Sequence, residues 1–248
     1  MIEQLEIKEP PTDVRHRGPS LLAVAIVFAL LFVASLAGSI AMAGGDHYPS
    51  PYQAEALSSI YFTEHANAVR LSAFLQFGAA VPLGIFTATA VSRLRFLRVK
   101  AAGTDIAYFG GVAASVMAAL SALIMWMISW PEIATSPIAH VLHVASFAIG
   151  GPGHVVPLGL LIAGVSVTGG VARLIPSWLT WFGIVVAALA ELSVFSLVLY
   201  PAAFLLPAAR LLGFAWMICV GASLPKSRTR HRDVPLDAAE GSALPAPT

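Results

Sequence analysis

The chain carries six stretches, at 20–43, 66–91, 105–130, 138–168, 178–200 and 203–224, that each run for more than twenty residues with no more than one Asp, Glu, Lys or Arg. A hydrocarbon core of about 30 Å demands about 20 helical residues at a rise of about 1.5 Å each, and every stretch meets that length. In lipid an unpaired backbone group has no water to bond, so open sheet is excluded and each stretch is expected to be a helix. The fold class is therefore read as an all-α membrane protein, a six-transmembrane-helix bundle. Composition agrees, because 58% hydrophobic and 11% charged residues lie outside the range of water-soluble domains. A formal net charge of +1 offers no basic field for nucleic acid. Membrane lipid is the expected partner.

Residues 1–19 and 225–248 are polar and proline-containing and lack apolar periodicity, so both tails are expected to be disordered. They flank a transmembrane domain at 20–224, which contains one sizeable extramembrane loop at 44–65. Within that loop the run AEALSSIYF is expected to form a short interfacial helix. No small-residue cleavage site follows a short apolar region near the start, so the first stretch is expected to be retained as a helix.

Basic residues set the orientation. Twelve of the 14 Lys and Arg residues fall before the first segment, between the second and third, between the fourth and fifth, or after the sixth. All four regions lie on one side of a six-helix zigzag, which the positive-inside rule makes cytoplasmic, together with both termini. Arg70 and Arg210 are the two exceptions, inside the second and sixth segments. Trp126, Trp130, Trp178, Trp181 and Tyr200 fall at the expected interfaces as an anchoring belt.

The chain also repeats itself. HANAVRLSAFLQFGAAVPLG in the second segment aligns with HVLHVASFAIGGPGHVVPLG in the fourth at an offset of 75, matching His65 with His140, Val69 with Val144, Gly78 with Gly153, and 81–84 with 156–159. Tyr108-Phe109-Gly110 is echoed by Trp181-Phe182-Gly183 in the following segments. A duplicated helix hairpin is expected, helices 2 and 3 recurring in parallel orientation as helices 4 and 5. Pro82 and Pro157 are expected to kink their helices, and Gly150-Gly151-Pro152-Gly153 to break the fourth. Broken backbone at membrane depth must be buried in protein or line a cavity, while glycines at such a place also permit close helix packing.

Charges in a bilayer are expensive unless they find partners. Glu191, Arg210 and Arg70 all fall in the middle or outer half of their segments, so they are expected to form an intramembrane polar cluster with Glu191 and Arg210 as its central pair. Two readings follow: an outward-facing polar cavity for an anion, a proton-coupled solute or a small polar head group, or a static ion pair that fixes helix packing. A second candidate site is a metal ion or haem held by His65, His140, His143 and Glu64, with Asp46 and His47 nearby. His140 and His143 lie three residues apart on one helix face, and imidazole with carboxylate suits zinc, copper or iron. The single Cys219 leaves no disulfide or thiolate cluster. Motifs that name an enzyme, such as G-x-x-x-x-G-K-[ST], G-x-S-x-G and H-E-x-x-H, are absent, and the chain is not expected to be one.

The runs FLQFGAAVPLGIFTATAVSRLRFL, AYFGGVAASVMAAL and LLPAARLLGFAWMICVGASLP resemble a bacterial family of six-helix integral membrane proteins defined only as a domain of unknown function. The resemblance implies a bacterial inner-membrane location and transfers no activity. The functional expectation is binding or transport of a small polar ligand. A metal or haem protein of the outer face and a structural subunit of a membrane complex are the alternatives.

Overall fold

A computed structural model describes residues 12–53 and 55–230. It holds six helical spans long and apolar enough to cross a membrane: Leu21–Met42, Ala66–Phe96, Ala102–Ile128, Ile138–Val171, Ser177–Leu197 and Tyr200–Ser223. The chain is an all-α, multi-pass membrane protein. Within those spans the helices are α1 (Leu21–Met42), α3 (Ala66–Phe96), α4 (Ala102–Ile128), α6 (Ile138–Gly150) with α7 (Pro152–Val171), α8 (Ser177–Leu192) and α9 (Leu205–Ser223). Short helices α2 (Glu55–Glu64) and α5 (Pro131–Ala134) lie between spans, and α2 forms within the long loop over the run expected to be helical. Packing runs α1 on α3, α3 on α4, α4 on α7, α7 on α8, α8 on α9 and α9 back on α1, so the six spans close a ring.

Several boundaries differ from the sequence reading for physical reasons. The second span does not stop at Val91. α3 continues to Phe96 because Arg93 and Arg95 in its last turn complement the helix dipole, and Arg93 is buried and donates to the Leu224 carbonyl at the end of α9. The fifth span tightens into a 3₁₀ turn at Ser193–Leu197, and a second 3₁₀ turn at Tyr200–Phe204 leads into α9. Parts of the tails expected to be disordered are ordered. Thr12–Arg15 (β1) pairs antiparallel with Ser227–Arg230 (β2), Thr12 opposite Arg230 and Arg15 opposite Ser227. Within the bundle an even number of spans brings the start of α1 beside the end of α9, where Gly221 lies against Leu21 and Leu22. The rest of the tails, 1–11 and 231–248, lies outside the described residues.

The offset of 75 reappears in the packing. A Cβ built on Gly84 would lie 3.2 Å from Ser115 Oγ, and one on Gly159 would lie 2.8 Å from Ala190 Cβ; both glycine and partner have moved by 75. α3 and α7 also end alike. Arg98 (φ 65°) and Arg173 (φ 54°) take the left-handed position, with Val99 N–H bonding Leu94 O at 3.0 Å and Leu174 N–H bonding Gly169 O at 2.8 Å. This is a Schellman ending used twice. The next helices start at Ala102 and Ser177, again 75 apart. In this register Tyr108 corresponds to Gly183, so the Tyr108-Phe109-Gly110 and Trp181-Phe182-Gly183 echo lies two residues off the repeat and is not part of it.

At the end of the bundle that carries the short loops 97–101 and 172–176, which is the inner end in the orientation expected from the Lys and Arg residues, the core is apolar. Leu21, Phe86, Leu94, Val165, Leu179 and Trp216 are buried together there. Backbones touch at this end: a Cβ on Gly164 would meet the Gly103 carbonyl. The opposite, outer end carries the long loop and packs differently.

A candidate site in an intramembrane polar cavity

The site begins with a fault in one helix. Gly151 adopts φ −80°, ψ −106° between α6 and α7, and Pro152 has no N–H to give. His154 N–H, the donor that a continuous helix would offer to Gly150, bonds the Gly151 carbonyl instead at 3.2 Å. The Gly150 carbonyl is left to accept from Arg210 Nη2 of α9 at 2.5 Å. The Arg210 guanidinium also lies over the Phe32 ring of α1, 5.0 Å from its centre, and its Nε is buried without a hydrogen-bond partner. Two contacts on different helices thus fix the cation while several of its five donors remain uncommitted.

Arg210 borders a cavity of about 300 Å³ in the outer half of the bundle. Its polar wall comes from Ser39 of α1, Ser72 and Gln76 of α3, Ser121 of α4, and His143 and Ser146 of α6. Leu36, Met125, Phe147 and Leu206 supply the apolar remainder. Among the described residues no carboxylate lines it. Three hydroxyl protons are spoken for: Ser39 donates to Leu36 O at 2.9 Å, Ser121 to Ser146 O at 2.8 Å, and Ser146 to His143 O at 2.9 Å, whereas the Tyr48 hydroxyl is buried on the wall without a hydrogen-bond partner. Gln76 Nε2 donates to Ser72 Oγ at 3.1 Å.

The loop at 43–53 roofs the cavity. Tyr48, Pro49, Ser50 and Pro51 line it from above. His143, fully buried, holds Pro49 by a 3.1 Å bond from Nε2 to its carbonyl, while the Tyr48 and Phe62 rings meet the imidazole edge-on at 5.5 and 5.0 Å. Because a carbonyl only accepts, Nε2 carries the proton of the neutral ring and Nδ1 is an acceptor, buried and without a partner. Tyr52 fastens the far end of the roof, donating to Ser196 O at 2.6 Å with its ring against Tyr200 and Phe147. Burial raises the Tyr48 phenol far above its ordinary pKa, so this roof residue stays neutral.

The expected Glu191–Arg210 pair does not form. Arg210 reaches the cavity, but Glu191 lies on the exposed side of α8 and makes no ion pair among the described residues. Ala187 and Ala190 take the buried face, where Ala190 abuts Gly159, and one further residue around the helix points Glu191 outward. Arg70 is absent from the cavity too. It caps the C-terminal end of α4, with Nη2 3.2 Å from Ser129 O and Nε 3.3 Å from Ser129 Oγ, and lies over the Trp130 ring.

The proposed metal ligands separate as well. His65 sits 3.1 Å from Asp46 in an outer recess that it shares with His47 and Glu64. His140 faces a second recess beside Ser58 and Ser136, and His143 belongs to the central cavity. Among the described residues no three His, Cys, Asp or Glu side chains come together to hold a metal ion. His140 and His143 share a helix, yet the first borders α2 and residues 135–137 while Phe62 and the roof loop enclose the second.

Sequence reasoning missed most of the cavity. Gln76, Ser72, Ser121 and Ser146 are polar groups inside apolar runs, a signal passed over because none is charged. His154 was passed over inside GGPGHVVPLG; it is buried, with Nδ1 2.9 Å from Ala114 O. No family model, no curated protein and no solved structure matches the chain.

Proposed function

We propose that the protein binds a small polar ligand in the cavity beside Arg210 and passes it across the membrane of a bacterial cell, with both termini in the cytoplasm and the roofed end outside. The observation that carries this reading is a fixed cation bordering a space of about 300 Å³ next to a broken helix, with serine, glutamine and histidine side chains set in a mainly apolar wall and no carboxylate among the described residues. That volume sits at the small end of ligand pockets. Helix breaks that expose backbone carbonyls beside a mid-membrane site support a transport role, by analogy of architecture with transporters built from repeats. The bacterial location rests on the family resemblance, and the orientation on the asymmetry of Lys and Arg.

The test is a panel of small polar solutes, namely glycerol, choline, L-alanine, sodium L-lactate and sodium phosphate. Each is measured for its effect on the melting midpoint of the detergent-purified chain and for exchange across proteoliposomes. At least one solute is expected to raise the midpoint and to cross faster than in protein-free vesicles. No response from any solute in either assay overturns the reading.

A further inference from the structure

The cavity reading can be carried to a ligand class, because the charge on the wall is one-sided and several of its acceptors are unmet. Arg210 is the one charged side chain on the wall among the described residues, and no acid offsets it. A cation held in place by the Gly150 carbonyl and the Phe32 face, with donors to spare, suits a carboxylate, which accepts two parallel N–H bonds from a guanidinium.

Elsewhere the wall carries both kinds of group: the Tyr48 and Ser72 hydroxyls and the second Gln76 N–H can donate, and the remaining polar atoms accept. Ser39, Ser121 and Ser146 have given their protons to backbone carbonyls, so their oxygens face a ligand as acceptors. Gln76 has given an N–H to Ser72 and keeps its amide oxygen, and His143 keeps Nδ1. A bare carboxylate would satisfy Arg210 and leave these acceptors unmet. Buried polar groups left without partners are costly, so the wall selects for a ligand that donates.

We infer that the ligand is a small carboxylate bearing hydroxyl or ammonium donors, a hydroxy acid or an amino acid, with its carboxylate on Arg210 and its donors toward the serine, glutamine and histidine acceptors. The inference rests on the proposed function of the cavity and narrows it. The volume of about 300 Å³ favours a ligand of few carbons over a lipid.

The experiment compares sodium propanoate, sodium L-lactate, L-alanine and propane-1,2-diol, three-carbon probes that differ in charge and donors. Melting midpoints of the full chain in detergent are followed against concentration at constant ionic strength, which gives apparent affinities by mass action. Lactate or alanine is expected to bind roughly tenfold more tightly than propanoate, the ratio set by one hydrogen bond to a buried acceptor. The diol is expected to leave the midpoint unchanged. Arg210→Gln should abolish the carboxylate response, with Arg210→Lys keeping part of it, and His143→Phe should bring lactate toward propanoate. Equal binding of propanoate, lactate and alanine overturns the donor requirement. Stabilisation by the diol alone overturns the carboxylate. Both results leave the cavity itself standing as a ligand site, whereas silence from every solute, including the broader panel, removes that reading with it. The wild-type comparison decides the matter even where a variant fails to fold.

Discussion

The two copies of the repeated hairpin contribute to the wall of one cavity by different means. In the first copy α3 runs unbroken through Leu75-Gln76-Phe77 and presents the Gln76 side chain; in the second the same register reads Gly150-Gly151-Pro152, the helix breaks, and a backbone carbonyl is presented to Arg210. Gln76 and Gly151 are 75 residues apart and both line the cavity. The helix endings and the positions of one glycine contact are alike in the two copies. The outer stretch diverged, and the divergence is where polar groups were gathered.

Substituting alanine at the two equivalent wall positions breaks or sharpens this comparison most. A Cβ on Gly151 would lie 2.6 Å from the Phe147 carbonyl, so Gly151→Ala should cost roughly 2 kcal/mol or more, whereas Gln76→Ala in the continuous helix should cost under about 1 kcal/mol. Equilibrium unfolding in mixed micelles measures both, and equal costs would mean that the break plays no part in packing. The shared glycine contact comes next. Gly159→Ala drives a Cβ to 2.8 Å from Ala190 Cβ and 3.3 Å from the Ala187 carbonyl, an expected loss of about 1–2 kcal/mol. Gly84→Ala meets only Ser115 Oγ at 3.2 Å and should be near neutral, since alanine also favours the helix. Smallest is the change at the duplicated ending: Arg98→Gly and Arg173→Gly should each stabilise by about 0.5–1 kcal/mol, because glycine takes positive φ freely. Opposite signs at these two positions would contradict their equivalence.

The spans, their number and the duplication were legible in the sequence because bilayer thickness and a fixed offset leave long-range marks. Even the break at Gly151 was, because proline after paired glycine removes donors and side chains together. Pairing was not. Glu191 and Arg210 looked complementary by charge and depth, but one step of about 100° around a helix decides whether a side chain faces bundle or lipid, and small residues at 187 and 190 claimed the inner face. Arg70 was read as seeking an acid when the free carbonyls ending α4 satisfied it. The histidines failed to converge because sequence spacing fixes neighbours on one helix and says nothing about which covering segments, residues 135–137 or the roof loop, each will meet. The serines were invisible because a neutral hydroxyl in an apolar run is satisfied so often by its own helix.

The central claim is that the roofed half of the bundle holds a water-accessible cavity whose one charge among the described residues is positive, and the reactivity of a thiol placed on its wall tests it most directly. In a Cys219→Ala background, Gln76→Cys is treated in micelles with an anionic and a cationic methanethiosulfonate, and Gln53→Cys on the roof loop gives the reference ratio. The account predicts that Gln76→Cys reacts with both reagents, faster with the anionic one relative to the reference, and that Arg210→Gln removes the preference. A thiol at position 76 that neither reagent modifies, or that the cationic reagent modifies faster, would contradict it.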